Sequence, residues 1–304
     1  MIKVIASSFI KNETLVQELL QLFPSAILYS GPENHLPALH NFCSDAEVLL
    51  VGREIIDEEF LSFCPKLKLV AKYGVGIDNI DLHALEKKGI QLGWTGGVNK
   101  RSVAELTIGF LLSAAHNTFI TGNKLKNGYW YKNGGICVEK KTLGIIGFGN
   151  IGTEVAKLMQ AFGMNIIAHD ILDKSKEAQE LGVRMCSLNE IQKEADFITL
   201  HIPYTPETKG MINEQFINSC KKGMILINCA RGEIINTEDI IAALGMGKLA
   251  GYYADAYEPE PYSDTRLISK ENFYGTPHIG GNSVEAVLNM GRSAINHIRN
   301  YYQK

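Results

Sequence analysis

Three kinds of residue in this chain sit where they could do chemistry: glycines spaced to approach a phosphate, an arginine after a buried strand, and a histidine near an acidic loop. The glycines are Gly147-x-Gly149-x-x-Gly152, directly after the apolar run 143–146. Gly147 permits a tight turn, Gly149 has no Cβ to hold a pyrophosphate off the backbone, and Gly152 lets a helix pack closely on its strand. The N-terminus of that helix would offer unpaired N–H groups and a partial positive charge to phosphates. A second apolar run, 166–168, leads to Asp170, whose carboxylate can accept from both hydroxyls of an adenosine ribose. Neither Ile171 nor Leu172 could receive a 2′-phosphate, so the stretch favours NAD over NADP.

Arg231, in Asn228-Cys229-Ala230-Arg231-Gly232, follows a run that reads as a buried strand. Guanidinium is almost never buried unpaired, so either a substrate carboxylate or an internal salt bridge would explain it. His278 lies between Pro277 and the pair Gly280-Gly281, near the acidic loop 255–260. It suits a general base oriented by a carboxylate, although a lone histidine is more often a structural residue. The stretch from Lys72 to Asp81 ends a strand in a glycine turn. Backbone N–H groups there could converge on an anion beside Lys72, or the stretch is a plain tight turn. Arg53 and Lys72 could face the anionic far end of a substrate, or be solvated surface charges. The segment His201-Ile202-Pro203-x-Thr205-x-x-Thr208 reads as a rigid loop wall over the cofactor, with no chemical part for His201.

The elements that must position these residues alternate between strand and helix. Strands are expected at 3–7, 26–29, 47–51, 67–72 and 90–93. A helix over 13–22 is capped by Asn12, another is opened by Asp57, and a third runs over 81–88. Gly31-Pro32 and Pro37 read as turns. This first unit has no dinucleotide fingerprint. A long apolar helix over 102–117 reads as buried. Strands then recur at 143–146, 165–169, 196–201, 224–228, 249–254 and 272–275, with a capping box at Ser187 and Glu190. A last helix spans 282–302, with Asn282 and Glu285 able to cap it. Such alternation implies parallel sheets and an α/β fold.

The chain of 304 residues is long enough for two full cores. A net charge of −3 gives no case for nucleic acid or an anionic membrane as partner, and no apolar run approaches the ~20 residues of a membrane span. The six cysteines show neither CxxC nor metal spacing, and the N-terminus reads as a strand instead of a signal peptide. A cytoplasmic protein with reduced thiols and no metal is expected.

From about residue 45 to 285 the sequence resembles the D-isomer-specific 2-hydroxyacid dehydrogenases, D-3-phosphoglycerate dehydrogenases among them. The matching motifs are Gly74-Val75-Gly76-Ile77-Asp78-Asn79-Ile80-Asp81-Leu82, Ser102-Val103-Ala104-Glu105, Leu143 to Gly152, the His201 loop, Asn228 to Gly232, Asp255 to Pro261, and Thr276 to Gly281. The resemblance implies a triad of Arg231, Glu260 and His278. The arginine would bind the substrate's carboxylate and carbonyl. The histidine would take the hydroxyl proton as C2 gives its hydride to nicotinamide, and the glutamate would support the protonated histidine. Glu260 fits better than Glu258 because it is five residues after Asp255 and precedes Pro261.

The resemblance further implies that Asp255 holds the nicotinamide carboxamide, that Asn150 and Ile151 meet the pyrophosphate, and that Asp170 meets the ribose. His201, Ile202, Pro203, Thr208, Cys229, Ala230, Gly280 and Gly281 would line the cofactor. Arg53, Lys72, Tyr73, Gly74, Val75 and Gly76, with Arg231, would meet the substrate. The implied architecture is a Rossmann-type NAD-binding domain, residues 98–281, inserted into a flavodoxin-like substrate domain of residues 1–97 plus 282–304. Hinges near 95–100 and 279–283 would let a cleft close, and a homodimer would form on the helix near 102–117. Val75, Ile202 and Gly281-Asn282 depart from the residues commonest in the family, which bears on substrate identity. Because the chain ends at 304, a C-terminal regulatory domain and serine feedback are not expected. The favoured substrate is 3-phospho-D-glycerate. Alternatives are another 2-hydroxy or 2-oxo acid such as glyoxylate, hydroxypyruvate or lactate, or an NAD-sensing corepressor-like binding role.

Overall fold

A computed structural model describes residues 1–32 and 35–303. The chain divides into two compact units, residues 1–99 with 284–304, and residues 100–283.

The first unit holds a five-stranded parallel sheet. Its strands are β1 (Ile2–Val4), β2 (Ile27–Leu28), β3 (Val48–Val51), β4 (Leu69–Lys72) and β5 (Gln91–Gly93), in the order β2-β1-β3-β4-β5. Strand side chains alternate between two cores. Val48, Leu50, Leu69 and Ala71 enter one, and Leu49, Val51 and Val70 the other. The first core is closed by Leu15 and Leu19 of the helix Glu13–Leu22 and by Met290, Ala294, Ile295 and Ile298 of the helix Val284–Tyr302. Gly291 is required where these helices meet, because a Cβ there would lie 2.3 Å from Leu15.

Two local expectations change. Pro37 does not end structure but lies in the first turn of a helix, Leu36–Cys43, where its missing N–H costs nothing. Asn282 does not cap the last helix, which begins at Val284; its amide donates to the His278 carbonyl at 3.4 Å.

The second unit holds a seven-stranded parallel sheet: β6 (Thr142–Ile146), β7 (Asn165–His169), β8 (Arg184–Met185), β9 (Phe197–Leu200), β10 (Met224–Asn228), β11 (Leu249–Ala254) and β12 (Phe273–Gly275). The order is β12-β11-β10-β9-β6-β7-β8, so the winding reverses at β6. Ligands of doubly wound sheets bind at such a reversal, beyond the carboxyl ends of the strands. Side chains again alternate between two cores, with Ile198, Leu226 and Tyr252 on one face and Phe197, Ile227 and Tyr253 on the other. The helix Lys100–Ala115 covers the second face through Ala104, Phe110, Leu111 and Ala114. Its apolar side is therefore used within its own unit. Among the described residues no single helix is long and apolar enough to cross a membrane.

Candidate active site

The site lies along the carboxyl edge of the larger sheet, where the strand ends deliver its loops. At the end of β6 the backbone turns at Gly147 with φ of +95°. A Cβ there would meet the His201 carbonyl carbon and oxygen, and one at Gly152 would lie 2.0 Å from the Gly147 carbonyl oxygen. Gly149 differs: a Cβ there would meet nothing within 4 Å. The open space before Gly149 adjoins the N-terminus of the helix Asn150–Met159, whose cap position provides no side-chain acceptor. These residues fit a pyrophosphate, which needs backbone donors and room for close approach. Asp170 fastens the turn, accepting from Phe148 N–H at 2.7 Å and Leu172 N–H at 2.9 Å, and keeps part of its surface open.

β9 ends at the His201 loop. The His201 ring is enclosed, its Nε2 lies 3.0 Å from Thr199 Oγ1, and burial lowers its pKa to about 3. It is a neutral wall residue. Ile202 packs on Gly147, while the Thr208 hydroxyl donates to Pro203 O at 2.8 Å and so shapes the loop itself.

β10 ends at Asn228, which is fully buried. Its side chain accepts from Ala230 N–H at 3.0 Å and donates to Arg231 O at 2.9 Å, which fixes the turn that presents Arg231. Gly232 then passes so close to the Tyr257–Glu258 backbone that a Cβ would sit 2.0 Å from the Tyr257 carbonyl carbon. Arg231 Nη1 donates to Ala230 O at 2.8 Å. Burial pushes the Cys229 thiol up to about 12, so it stays protonated.

β11 leads into Asp255. Its carboxylate is only 2 % exposed and accepts from Thr276 Oγ1 at 2.6 Å, Ile279 N–H at 2.8 Å and Gly280 N–H at 2.7 Å. Such an enclosed group holds the 276–280 loop. The loop's other anchor is Ser102, whose hydroxyl donates to Gly280 O at 2.6 Å. Within this loop His278 has φ of +55°, a left-handed backbone rare for histidine. Its Nδ1 lies 2.8 and 2.9 Å from the two Glu260 carboxylate oxygens. A carboxylate can only accept, so Nδ1 carries the proton and Nε2 of the neutral ring is the basic atom. Both side chains keep about a third of their surface exposed. Glu258 makes no such pairing among the described residues.

In the first unit, two side chains expected at a ligand turn inward. Lys72 is 5 % exposed and bonds to Gly52 O and Asn79 Oδ1. Tyr73 is buried, with its ring edge-on to Phe9 at 5.6 Å. Arg53 is exposed, and Gly74, Val75 and Gly76 are partly exposed. Sequence reasoning missed Asn228, Ser102 and Thr276 as supports. For Asn228 and Thr276 a polar side chain at a strand end beside a turn was the available signal, whereas Ser102 lies within the helix Lys100–Ala115.

Residues 108–280 match the family model described as D-isomer specific 2-hydroxyacid dehydrogenase, NAD binding domain. The chain is 41 % identical over 246 residues to the D-3-phosphoglycerate dehydrogenase of Methanocaldococcus jannaschii, covering 80 % of this chain and 47 % of that protein. It spans about half the length of the curated phosphoglycerate dehydrogenases it matches. The hydroxypyruvate reductase of Thermotoga maritima is 36 % identical over 94 % of this chain and 95 % of its own. The crystal structure of D-lactate dehydrogenase from Aquifex aeolicus complexed with NAD and lactic acid superposes with a TM-score of 0.84 at 29 % identity, covering 99 % of this chain and 95 % of that one.

Proposed function

The chain belongs to the D-isomer-specific 2-hydroxyacid dehydrogenases, and from that premise we propose that it interconverts a small D-2-hydroxy acid and its 2-oxo acid with NAD. The observation that carries this reading is the Glu260–His278 pair, which leaves Nε2 as a base on a loop fixed by a buried carboxylate. Bound NAD would supply the hydride acceptor. The chain's own residues do the rest. Arg231 binds the acid's carboxylate through a bidentate fork and draws charge at the carbonyl oxygen. His278 Nε2 removes the hydroxyl proton, and Glu260 stabilises the imidazolium that results. The turn 147–152 and Asp170 hold the dinucleotide.

Within that class, 3-phospho-D-glycerate is proposed as the substrate, supported by exposed Arg53 and by the similarity to phosphoglycerate dehydrogenases. A second reading, hydroxypyruvate, is favoured by Lys72, whose inward ammonium weakens the case for an anionic tail. Steady-state turnover of D-3-phosphoglycerate, hydroxypyruvate, glyoxylate and D-lactate separates the two. On the first reading Arg53→Gln lowers kcat/KM for phosphoglycerate alone. The chemistry is tested by His278→Asn, with kcat falling by roughly 10² to 10⁴ and NADH affinity unchanged. Wild-type inactivity on the whole panel would sink the dehydrogenase reading.

A homodimer is the proposed assembly. Support comes less from the helix Lys100–Ala115 than from the exposed Tyr129, Trp130 and Tyr131 that follow it. Light scattering tests the state, and Trp130→Ala should weaken it.

A further inference from the structure

At the carboxyl ends of β3 and β4 the first unit makes two loops, residues 52–56 and 73–80. Lys72 and Asn79 tie them together. The Lys72 ammonium donates to Gly52 O and, at 2.8 Å, to Asn79 Oδ1. The Asn79 amide donates to Gly52 O at 3.2 Å and to Glu54 O at 2.5 Å. Gly52 N–H donates to the Glu54 carboxylate at 2.6 Å. The backbones join directly as well, with Ile56 N–H on Asn79 O at 2.8 Å and Asp81 N–H on Ile56 O at 2.9 Å.

A buried ammonium must be solvated by protein groups, and here the loop carbonyl and the asparagine oxygen do so. The joined loops leave donors unused. The N–H groups of Gly74, Val75, Gly76 and Ile77 meet no acceptor among the described residues. Gly74 has φ of +119°, and successive N–H groups around such a turn form a concavity for an anion. Arg53 is exposed on the neighbouring loop.

We propose that Lys72 and Asn79 are positioning residues, a buried clamp that sets the spacing of the 52–56 and 73–80 loops and thereby orders the backbone donors that receive the substrate acid. The clamp acts on binding and not on chemistry. It rests on the dehydrogenase reading only for the identity of the anion.

The test uses Lys72→Met, Asn79→Ala, the double variant and Lys72→Arg, each first checked for a cooperative melt. In Lys72→Met the KM for the acid should rise about tenfold while kcat and the NADH Kd stay within about threefold. Asn79→Ala should match it, the double should be no worse than either single, and Lys72→Arg should recover part of the loss. Hydrogen exchange at the Ile56 and Asp81 amides should quicken about tenfold in Lys72→Met, a readout independent of turnover. Wild-type exchange at both amides, additive single effects, or a fall in kcat at unchanged KM overturns the clamp. Should the wild type turn over no acid, the dehydrogenase reading fails and the exchange rates alone decide the clamp.

Discussion

Asp170 and Asp255 follow the carboxyl ends of β7 and β11 in one sheet, and each accepts at least one backbone N–H from a neighbouring loop. What covers them differs. Asp170 binds the turn at Phe148 and keeps open surface, since Ile171 and Leu172 after it run out into solvent. Asp255 is enclosed by the 276–280 loop that it holds. Burial thus separates a carboxylate that keeps room for a ligand from one enclosed by the loop it holds.

The largest effect expected from this contrast is at Asp255. Asp255→Ala leaves the Ile279 and Gly280 N–H groups and the Thr276 hydroxyl without their acceptor, at about 1–3 kcal/mol per buried group. With the His278 loop released, kcat should fall roughly a thousandfold while NADH affinity stays within a fewfold. The opposite outcome, lost NADH affinity at near-normal kcat, would favour the nicotinamide role implied by the family resemblance. Asp170→Ala should invert the pattern. NAD Kd should rise about thirtyfold, roughly 2 kcal/mol, with kcat at saturation near wild type. Calorimetric NAD binding and saturating kinetics on both variants decide whether the two aspartates are distinct.

How far the sequence could be read follows the same division. Gly147 and Gly152 were legible because the requirement is on the backbone, and only glycine meets it. The strands were legible because runs buried on both faces, such as 143–146 and 224–228, have no other use. The inward turn of Lys72 and the enclosure of Asp255 were not, since each depends on groups that the pattern of its own strand does not show. Gly52 and Asn79 surround the first, and Thr276 to Gly280 the second. The helix Leu36–Cys43 was hidden by Pro37, which can break a helix or begin one.

Within the glycine turn the same contrast can be drawn between two residues three apart. Gly152→Ala forces a Cβ to within 2.0 Å of the Gly147 carbonyl oxygen and should destabilise the fold by about 1–3 kcal/mol. Gly149→Ala meets open space and an extended backbone, so the loss should stay at or below about 1 kcal/mol. Its NAD affinity, however, should fall about tenfold, because the new methyl occupies the space assigned to the pyrophosphate. Equal melting losses in the two variants would mean that Gly149 is as structural as Gly152.

His201, at the end of β9, is the limiting case of a polar strand-end residue given wholly to structure. Burial lowers its pKa to about 3 from an ordinary 6.5. Between those values the unfolded chain binds a proton that the folded chain refuses. Stability from this group is therefore complete above about pH 6.5 and declines as pH falls toward 3, with a slope of at most ~1.4 kcal/mol per pH unit. Carboxylates add their own losses in the lower part of that range, so the comparison must be differential. Urea unfolding at pH 7, 6 and 5 should show the wild type losing more stability on acidification than His201→Gln, whose amide can keep the bond to Thr199 without titrating. If the two acid limbs run parallel, the ring is not held neutral. The loop beside the glycine turn would then be open enough for His201 to meet the ligand.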